Sequence, residues 1–291
     1  MTDAPPSRQI DLPDRGGAMS ILDMGREDRP VDIVFSHATG FNARSYRTVL
    51  APLAAEFHIV AIDIRGHGAS TLPTDQAVWP GWDGLAQDLV AFLARVADGP
   101  VVLAGHSLGA TTSLLAAGLA PQAVRGLALF EPVLPDDVGA AHQMSESAVK
   151  AALRRRSTFE NRSAALEAYR GRGVLAALSE AQLQDYVAAG FHDTAGGEVT
   201  LACPPEVEAL IYARQDYDPW AALDKVRCPV QLVASEEGSG VGGRARAEAG
   251  RLGVRLQVVP ESGHMLPLQC PETVRAVLRD LARETAHAVQ G

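Results

Sequence analysis

The sequence predicts an α/β domain, with a mostly parallel central sheet, helices on both faces and an inserted helical cap. Three observations carry this. Apolar runs of strand length alternate with helical stretches from Val31 onward, the pattern of βαβ units. That alternation stops near Pro135 and resumes at Pro229, so one sheet is interrupted rather than two being laid end to end. The 291 residues, 47% hydrophobic and 21% charged, are enough for one large core with something added.

Residues 1–30 read as an N-terminal extension and first strands. Residues 1–17 carry Pro5, Pro6, Pro13 and mixed charges, not the basic start and apolar stretch of a signal peptide. A strand over 31–36 ends in His37-Ala38-Thr39-Gly40, followed by a helical stretch over 45–56, a strand over 58–62 and the turn-rich Arg65-Gly66-His67-Gly68-Ala69-Ser70. Over 82–96, Leu85, Leu89, Phe92, Leu93 and Val96 share one helical face, with Asp83 as N-cap. A strand over 100–104, a helix over 108–119 stopped near Pro121 and a strand over 126–130 ending in Glu131-Pro132 complete the first part. Residues 99–124 lack Asp, Glu, Lys and Arg and could span a bilayer by length. The interruptions at Gly105, His106, Ser107, Gly109, Thr111, Thr112 and Ser113 make that segment strand, turn and helix instead.

Between 135 and 220 no strong strand signal stands out; helical stretches over 147–156, 162–170 and 180–189 are separated by Gly171, Gly173 and Gly190. Strands return over 229–234 and 255–259, and a helix over 272–283 closes the chain. The expected organisation is a core of 31–134 and 221–291 with a helical cap, or lid, over 135–220.

Lys and Arg number 26 against 35 Asp and Glu, a net charge of −9 that offers no general attraction to nucleic acid or anionic lipid. Cys203, Cys228 and Cys270 are odd in number and far apart, which argues against a disulfide framework or a zinc site. The expectation is a cytoplasmic protein that acts on a small-molecule substrate and needs no metal or cofactor.

The sharpest chemical signal is Gly105-His106-Ser107-Leu108-Gly109, a G-x-S-x-G elbow. A serine on a tight strand-to-helix turn has strained backbone angles, and flanking glycines remove side chains that would collide with the neighbouring strand and helix. The helix starting behind it aims N–H groups and its positive dipole end at the place where an oxyanion would form.

With His37-Ala38-Thr39-Gly40, Asp63-Ile64-Arg65-Gly66-His67-Gly68-Ala69-Ser70, the elbow and Ser262-Gly263-His264-Met265-Leu266-Pro267-Leu268, the chain resembles the α/β-hydrolase superfamily over nearly its whole length. The resemblance implies that Ser107 attacks an acyl carbonyl, that a late histidine is the base, and that the order is Ser, acid, His. Thr39 and Leu108 match the two positions whose backbone N–H groups form the oxyanion hole, with Ala38 where the family usually has the Gly of a His-Gly pair.

Of eight histidines, His264 is the expected base, on a loop after a strand where its ring can reach a distant serine. His106 is expected to be packed, and His37 and His67 to bond their own loops. The acid is open. The family generally places an Asp in the loop after the penultimate core strand, but here Ala234-Ser235-Glu236-Glu237-Gly238-Ser239-Gly240 has Gly238 at that place. Glu131, after the strand that follows the elbow helix, is the first choice, as some members carry the acid there; Glu237 and Glu236 are the alternatives.

Asp63 and Arg65 read as a structural turn. Trp79, Trp82, Phe41, Tyr212 and Trp220 are candidates to line the cleft, core packing being the bland alternative. Arg154, Arg155, Arg156, Arg162, Arg170 and Arg172 form a basic patch read as a solvated lid face, with reception of an anionic substrate as the sharper alternative. The expected activity is hydrolysis of a small or medium carboxylic ester. Lactone, thioester or carbon–carbon bond hydrolysis stays open, and a non-catalytic ligand sensor is the reading from another class. A serine nucleophile disfavours the family's dehalogenases and epoxide hydrolases, which attack through a carboxylate.

Overall fold

Strands that are apolar on both faces need cover on both, and the chain supplies it by alternating strand and helix. The computed structural model describes residues 7–25, 28–136 and 138–288. In chain order the first part runs β1 (Ser7–Leu12), β2 (Gly17–Met24), β3 (Ile33–Ser36), α1 (Arg47–Leu50), β4 (Ile59–Ile62), α2 (Gly81–Val96), β5 (Val101–His106), α3 (Leu108–Leu119) and β6 (Val124–Phe130). An insertion follows with α4 (Val138–Leu153), β7 (Thr158–Phe159), α5 (Arg162–Tyr169), α6 (Glu180–Ala189), β8 (Phe191–Asp193), β9 (Val199–Leu201), α7 (Pro205–Ala213) and α8 (Pro219–Leu223). The chain then returns through β10 (Val230–Ser235), α9 (Gly243–Glu248), β11 (Val254–Val259), α10 (Leu266–Gln269) and α11 (Pro271–Ala288).

Eight strands among the described residues form one sheet in the order β1-β2-β4-β3-β5-β6-β10-β11. β1 and β2 are antiparallel to their neighbours, and β4 through β11 pair in parallel. Alternate residues of the central strands feed two cores. Val34, Val60, Leu103 and Leu127 pack with α2 and α3 on one face; Phe35, Ala61, Ala104 and Phe130 pack with α1 and α11 on the other. Burying each large apolar side chain contributes about 1.5–3 kcal/mol, so the ends of the central strands rest on a core buried on both faces.

Three expectations need correction. The helix expected over 45–56 is broken into 3₁₀ turns flanking the four residues of α1, because Pro52 has no N–H to continue it. Asp83 is not the N-cap of α2; the helix opens at Gly81 after Pro80 and Asp83 lies in its first turn. The segment 135–220 is not helical alone: β7, β9 and β8 form a small antiparallel sheet whose strands of two or three residues are too short to leave an alternating pattern. No helix of the described residues is long and apolar enough to cross a membrane, and the three cysteines are unpaired.

Candidate active site

Ser107 sits between the end of β5 and the start of α3 with φ 53° and ψ −116°, a left-handed backbone that costs on the order of 1–3 kcal/mol for a non-glycine residue. Its neighbours hold it there. A Cβ on Gly105 would lie 2.4 Å from the Gly109 carbonyl carbon, and one on Gly109 would lie 2.2 Å from the Ser36 carbonyl oxygen. Only glycine fits either position. The Ser107 N–H donates to Phe130 O at 3.0 Å, and the Gly109 N–H to His37 O at 3.1 Å, so the elbow is tied to both flanking strands.

The acid stands at the end of the neighbouring strand β6, and the histidine arrives from the edge of the sheet, after β11. His264 Nε2 lies 3.0 Å from Ser107 Oγ, and His264 Nδ1 lies 3.0 Å from Glu131 Oε2. With the carboxylate accepting from Nδ1–H, Nε2 is the free acceptor for the serine proton. Glu131 is fully buried at the end of β6, with a positive φ of 52° like that of Ser107 on the adjacent strand. Its Oε1 accepts from Ser235 N–H at 2.5 Å and Ser239 Oγ at 2.7 Å, and its Oε2 also accepts from Gly240 N–H at 3.2 Å. Burial pushes the Glu131 carboxyl up, but the bonds from His264, Ser235 and Ser239 outweigh it and hold the group below its ordinary value. The structure thus brings Ser107, His264 and Glu131 together. It leaves Glu236 and Glu237 outside: both are exposed, Glu236 accepts from Glu261 N–H, and the Glu237 carbonyl accepts from Ser235 Oγ.

Thr39 lines the same cavity as Ser107, and Leu108 follows Ser107 as the first residue of α3. The His37 ring donates from Nδ1 to Ala38 O at 2.8 Å and accepts Ile64 N–H at Nε2, while His67 accepts Gly40 N–H at 3.0 Å and donates to Arg65 O. Each therefore bonds its own loop and the other's, which clamps the residues on both sides of Thr39. Asp63 accepts Ala43 N–H and Ala69 N–H, and Arg65 pairs with buried Asp88 at 2.7 Å, so this turn is structural. Burial lowers the His37 ring to about 4 and the His67 ring to about 3, so both are neutral supports.

His106 does more than pack. Its Nδ1 accepts from Tyr46 Oη–H at 2.6 Å, its Nε2–H donates to the main-chain carbonyl of His264 at 2.7 Å, and Tyr46 Oη in turn accepts from Ala38 N–H at 3.3 Å. This buried strut joins the loop of Thr39 to the loop of His264. Burial, with the neighbouring His264, lowers the His106 ring to about 3 and keeps it uncharged.

A cavity of about 450 Å³ opens above Ser107 and His264. The insertion supplies its far wall, including Arg155, Tyr169, Arg172, Tyr186 and Glu208. Phe41 and Tyr212 line it as expected, whereas Trp79 and Trp82 belong to the core and Trp220 lies under Arg244. The basic patch also divides. Arg156 stacks on Phe159, Arg162 pairs with Asp193, Arg170 pairs with Glu167 and Glu180, and Arg154 is exposed. Arg155 and Arg172 line the cavity, so a wholly solvated face is corrected. The donors on Ser235, Ser239 and Gly240, the His106 strut and the Arg155–Glu208 pair escaped sequence reasoning, since each joins residues far apart in sequence.

The model of the alpha/beta hydrolase family matches residues 33–277. The chain belongs to that family. Among curated relatives, it is 27% identical over 279 residues to 2-(acetamidomethylene)succinate hydrolase of Mesorhizobium japonicum, covering 93% of each chain. The crystal structure of E-2-(acetamidomethylene)succinate hydrolase superposes with a TM-score of 0.80 at 24% identity, over 94% of this chain and 98% of that one. A thioesterase domain from the curacin biosynthetic pathway superposes with a TM-score of 0.75 at 19% identity, over 95% and 99%. In this alpha/beta hydrolase the loop 235–240 carries no acid to the histidine and instead surrounds Glu131 with donors.

Proposed function

We propose that the chain is a serine hydrolase that cleaves a small or medium carboxylic ester through an acyl-enzyme. The observation that carries the reading is the unbroken line from Glu131 Oε2 through both nitrogens of His264 to Ser107 Oγ, each link 3.0 Å. Ser107 Oγ attacks the ester carbonyl carbon while His264 Nε2 takes its proton. The carbonyl oxygen becomes an oxyanion that accepts from the N–H groups of Thr39 and Leu108. Glu131 orients the ring and stabilises its cationic form. Collapse expels the alcohol, which receives the proton from Nε2; water, deprotonated by the same nitrogen, then releases the acid and restores Ser107. Residues 135–220 serve as a cap whose inner wall selects the substrate, a role supported by the two-sided lining of the cavity.

The relative named for an acetamidomethylene compound favours one second reading, hydrolysis of an acyl–nitrogen bond by the same groups. Turnover of aryl esters of graded acyl length, beside matched anilides, lactones and thioesters, by wild type and Ser107→Ala tests both. Ester turnover that needs Ser107 supports the first reading, a preference for anilides the second, and no serine-dependent turnover of any would leave the sensor reading in place.

A further inference from the structure

The far wall of the cavity is chemically unlike its mouth at Ser107. Arg155 is held from two sides, by the carboxylate of Glu208 and by Tyr186 Oη, to which its Nη2 donates at 2.8 Å. Burial disfavours the charge on Arg155, but Tyr186 and Glu208 outweigh that and keep it firmly protonated. This cation and carboxylate cancel each other. Arg172 has no such partner: among the described residues no carboxylate pairs with it, although Arg170, two residues away, pairs with both Glu167 and Glu180 on the outer surface. The backbone presents Arg172 on a turn, with its N–H donating to Tyr169 O at 3.1 Å and with left-handed Gly171 and Gly173 on either side at φ 67° and 53°.

A second observation points the same way. The hydroxyl of Tyr169, also in the cavity wall, is buried and has no hydrogen-bond partner. A buried hydroxyl without a partner is costly, on the order of 1–3 kcal/mol, and because it is closed to solvent it is satisfied when the ring turns to meet an acceptor that a ligand brings into the cavity. Two guanidinium groups against one carboxylate leave the lining with one uncompensated positive charge, and the waiting O–H donor lies on the same turn as the free cation. A planar anion with two acceptor oxygens answers both.

We propose that Arg172 and Tyr169 form a subsite for a carboxylate on the substrate, so that the acyl chain cleaved at Ser107 is that of a dicarboxylic acid monoester or monoamide. Arg172 pairs with the carboxylate and Tyr169 Oη donates to it, while Arg155 stays locked on Glu208 and Tyr186 and is neutralised there. This substrate class rests on the acyl-hydrolase reading above, whereas binding of the carboxylate does not.

The test compares the mono-4-nitrophenyl ester of adipic acid with 4-nitrophenyl hexanoate, which differ by a carboxylate in place of a methyl group. Wild type should favour the adipate ester by about tenfold or more in kcat/KM, mainly through KM, as expected for a charge-assisted hydrogen bond. Arg172→Gln should collapse that preference, Arg172→Lys should restore part of it, Tyr169→Phe should reduce it about three- to tenfold, and Arg170→Gln should leave it intact. Equal handling of the two esters by wild type, or an Arg172→Gln variant that keeps the preference, overturns the subsite. If neither ester turns over, the acyl-hydrolase reading has failed and the subsite is judged by calorimetric titration of adipate. Binding that is lost in Arg172→Gln upholds it, and absence of binding to wild type overturns it.

Discussion

The two walls of the cavity are built on different principles. The wall carrying Ser107, His264 and Glu131 stands on strand ends of one sheet, where main-chain bonds, two left-handed residues and glycines that admit no Cβ leave each group one position. The wall from the insertion is made of side chains on short helices and turns, held by an ion pair and the Tyr186 hydroxyl. The first arrangement fixes a reaction and the second can be rewritten without disturbing the first. Variants of the sheet wall should therefore lower kcat, and variants of the insertion wall should act through KM and substrate choice.

The largest effect is expected from Ser107→Ala, a loss of about 10⁴- to 10⁶-fold in kcat/KM for aryl esters with an unchanged melting curve. Glu131→Gln comes next, with a fall of about 10³- to 10⁴-fold in kcat at similar KM. Glu236→Gln and Glu237→Gln should stay within about twofold of wild type, since neither carboxylate bonds to His264. A Glu237→Gln variant as impaired as Glu131→Gln would break the assignment. His106→Phe removes the strut and strands Tyr46 Oη and the His264 carbonyl; kcat should fall by about 10- to 100-fold with little change in KM. Equal changes in both parameters would make His106 a packing residue only.

The smallest effect concerns stability against pH. His37, His67 and His106 are lowered to about 4, 3 and 3 by burial, so between those values and about 6.5 the unfolded chain binds protons that the folded chain refuses. Stability must then rise with pH over that window and fall on acidification, by up to about 1.4 kcal/mol per pH unit for each histidine. Urea unfolding midpoints of His106→Phe between pH 4.5 and 6.5 should show a slope shallower by close to one proton; an unchanged slope would contradict a neutral His106.

The same contrast explains what the sequence makes legible. The elbow is readable because the backbone demands glycine at two fixed offsets from Ser107, and the central strands because apolar runs of that length have few other fates. Leu108–Leu119 and Glu180–Ala189 match their expected bounds. Asp83 failed as a cap because the left-handed Gly81, whose Cβ would meet Asp216 at 2.5 Å, already starts the helix. The sequence ranks Glu131 first among three candidates for the carboxylate beside His264 but leaves Glu236 and Glu237 open, since the decision depends on Ser235, Ser239 and Gly240 folding back more than a hundred residues later. Arg155 and Arg170 look alike in sequence; only the tertiary position of Glu208 separates a cavity cation from a surface one.

The strut through His106 has a consequence for the second half of the reaction. His264 is gripped at its carbonyl by His106 and at Nδ1 by Glu131, so its ring is held in place at the cavity wall beside Ser107. On the ester reading proposed above, the hydrolytic water enters from the cavity, along the path the departing alcohol has just vacated. Entry and exit share one door, and a bulky leaving group delays its own replacement.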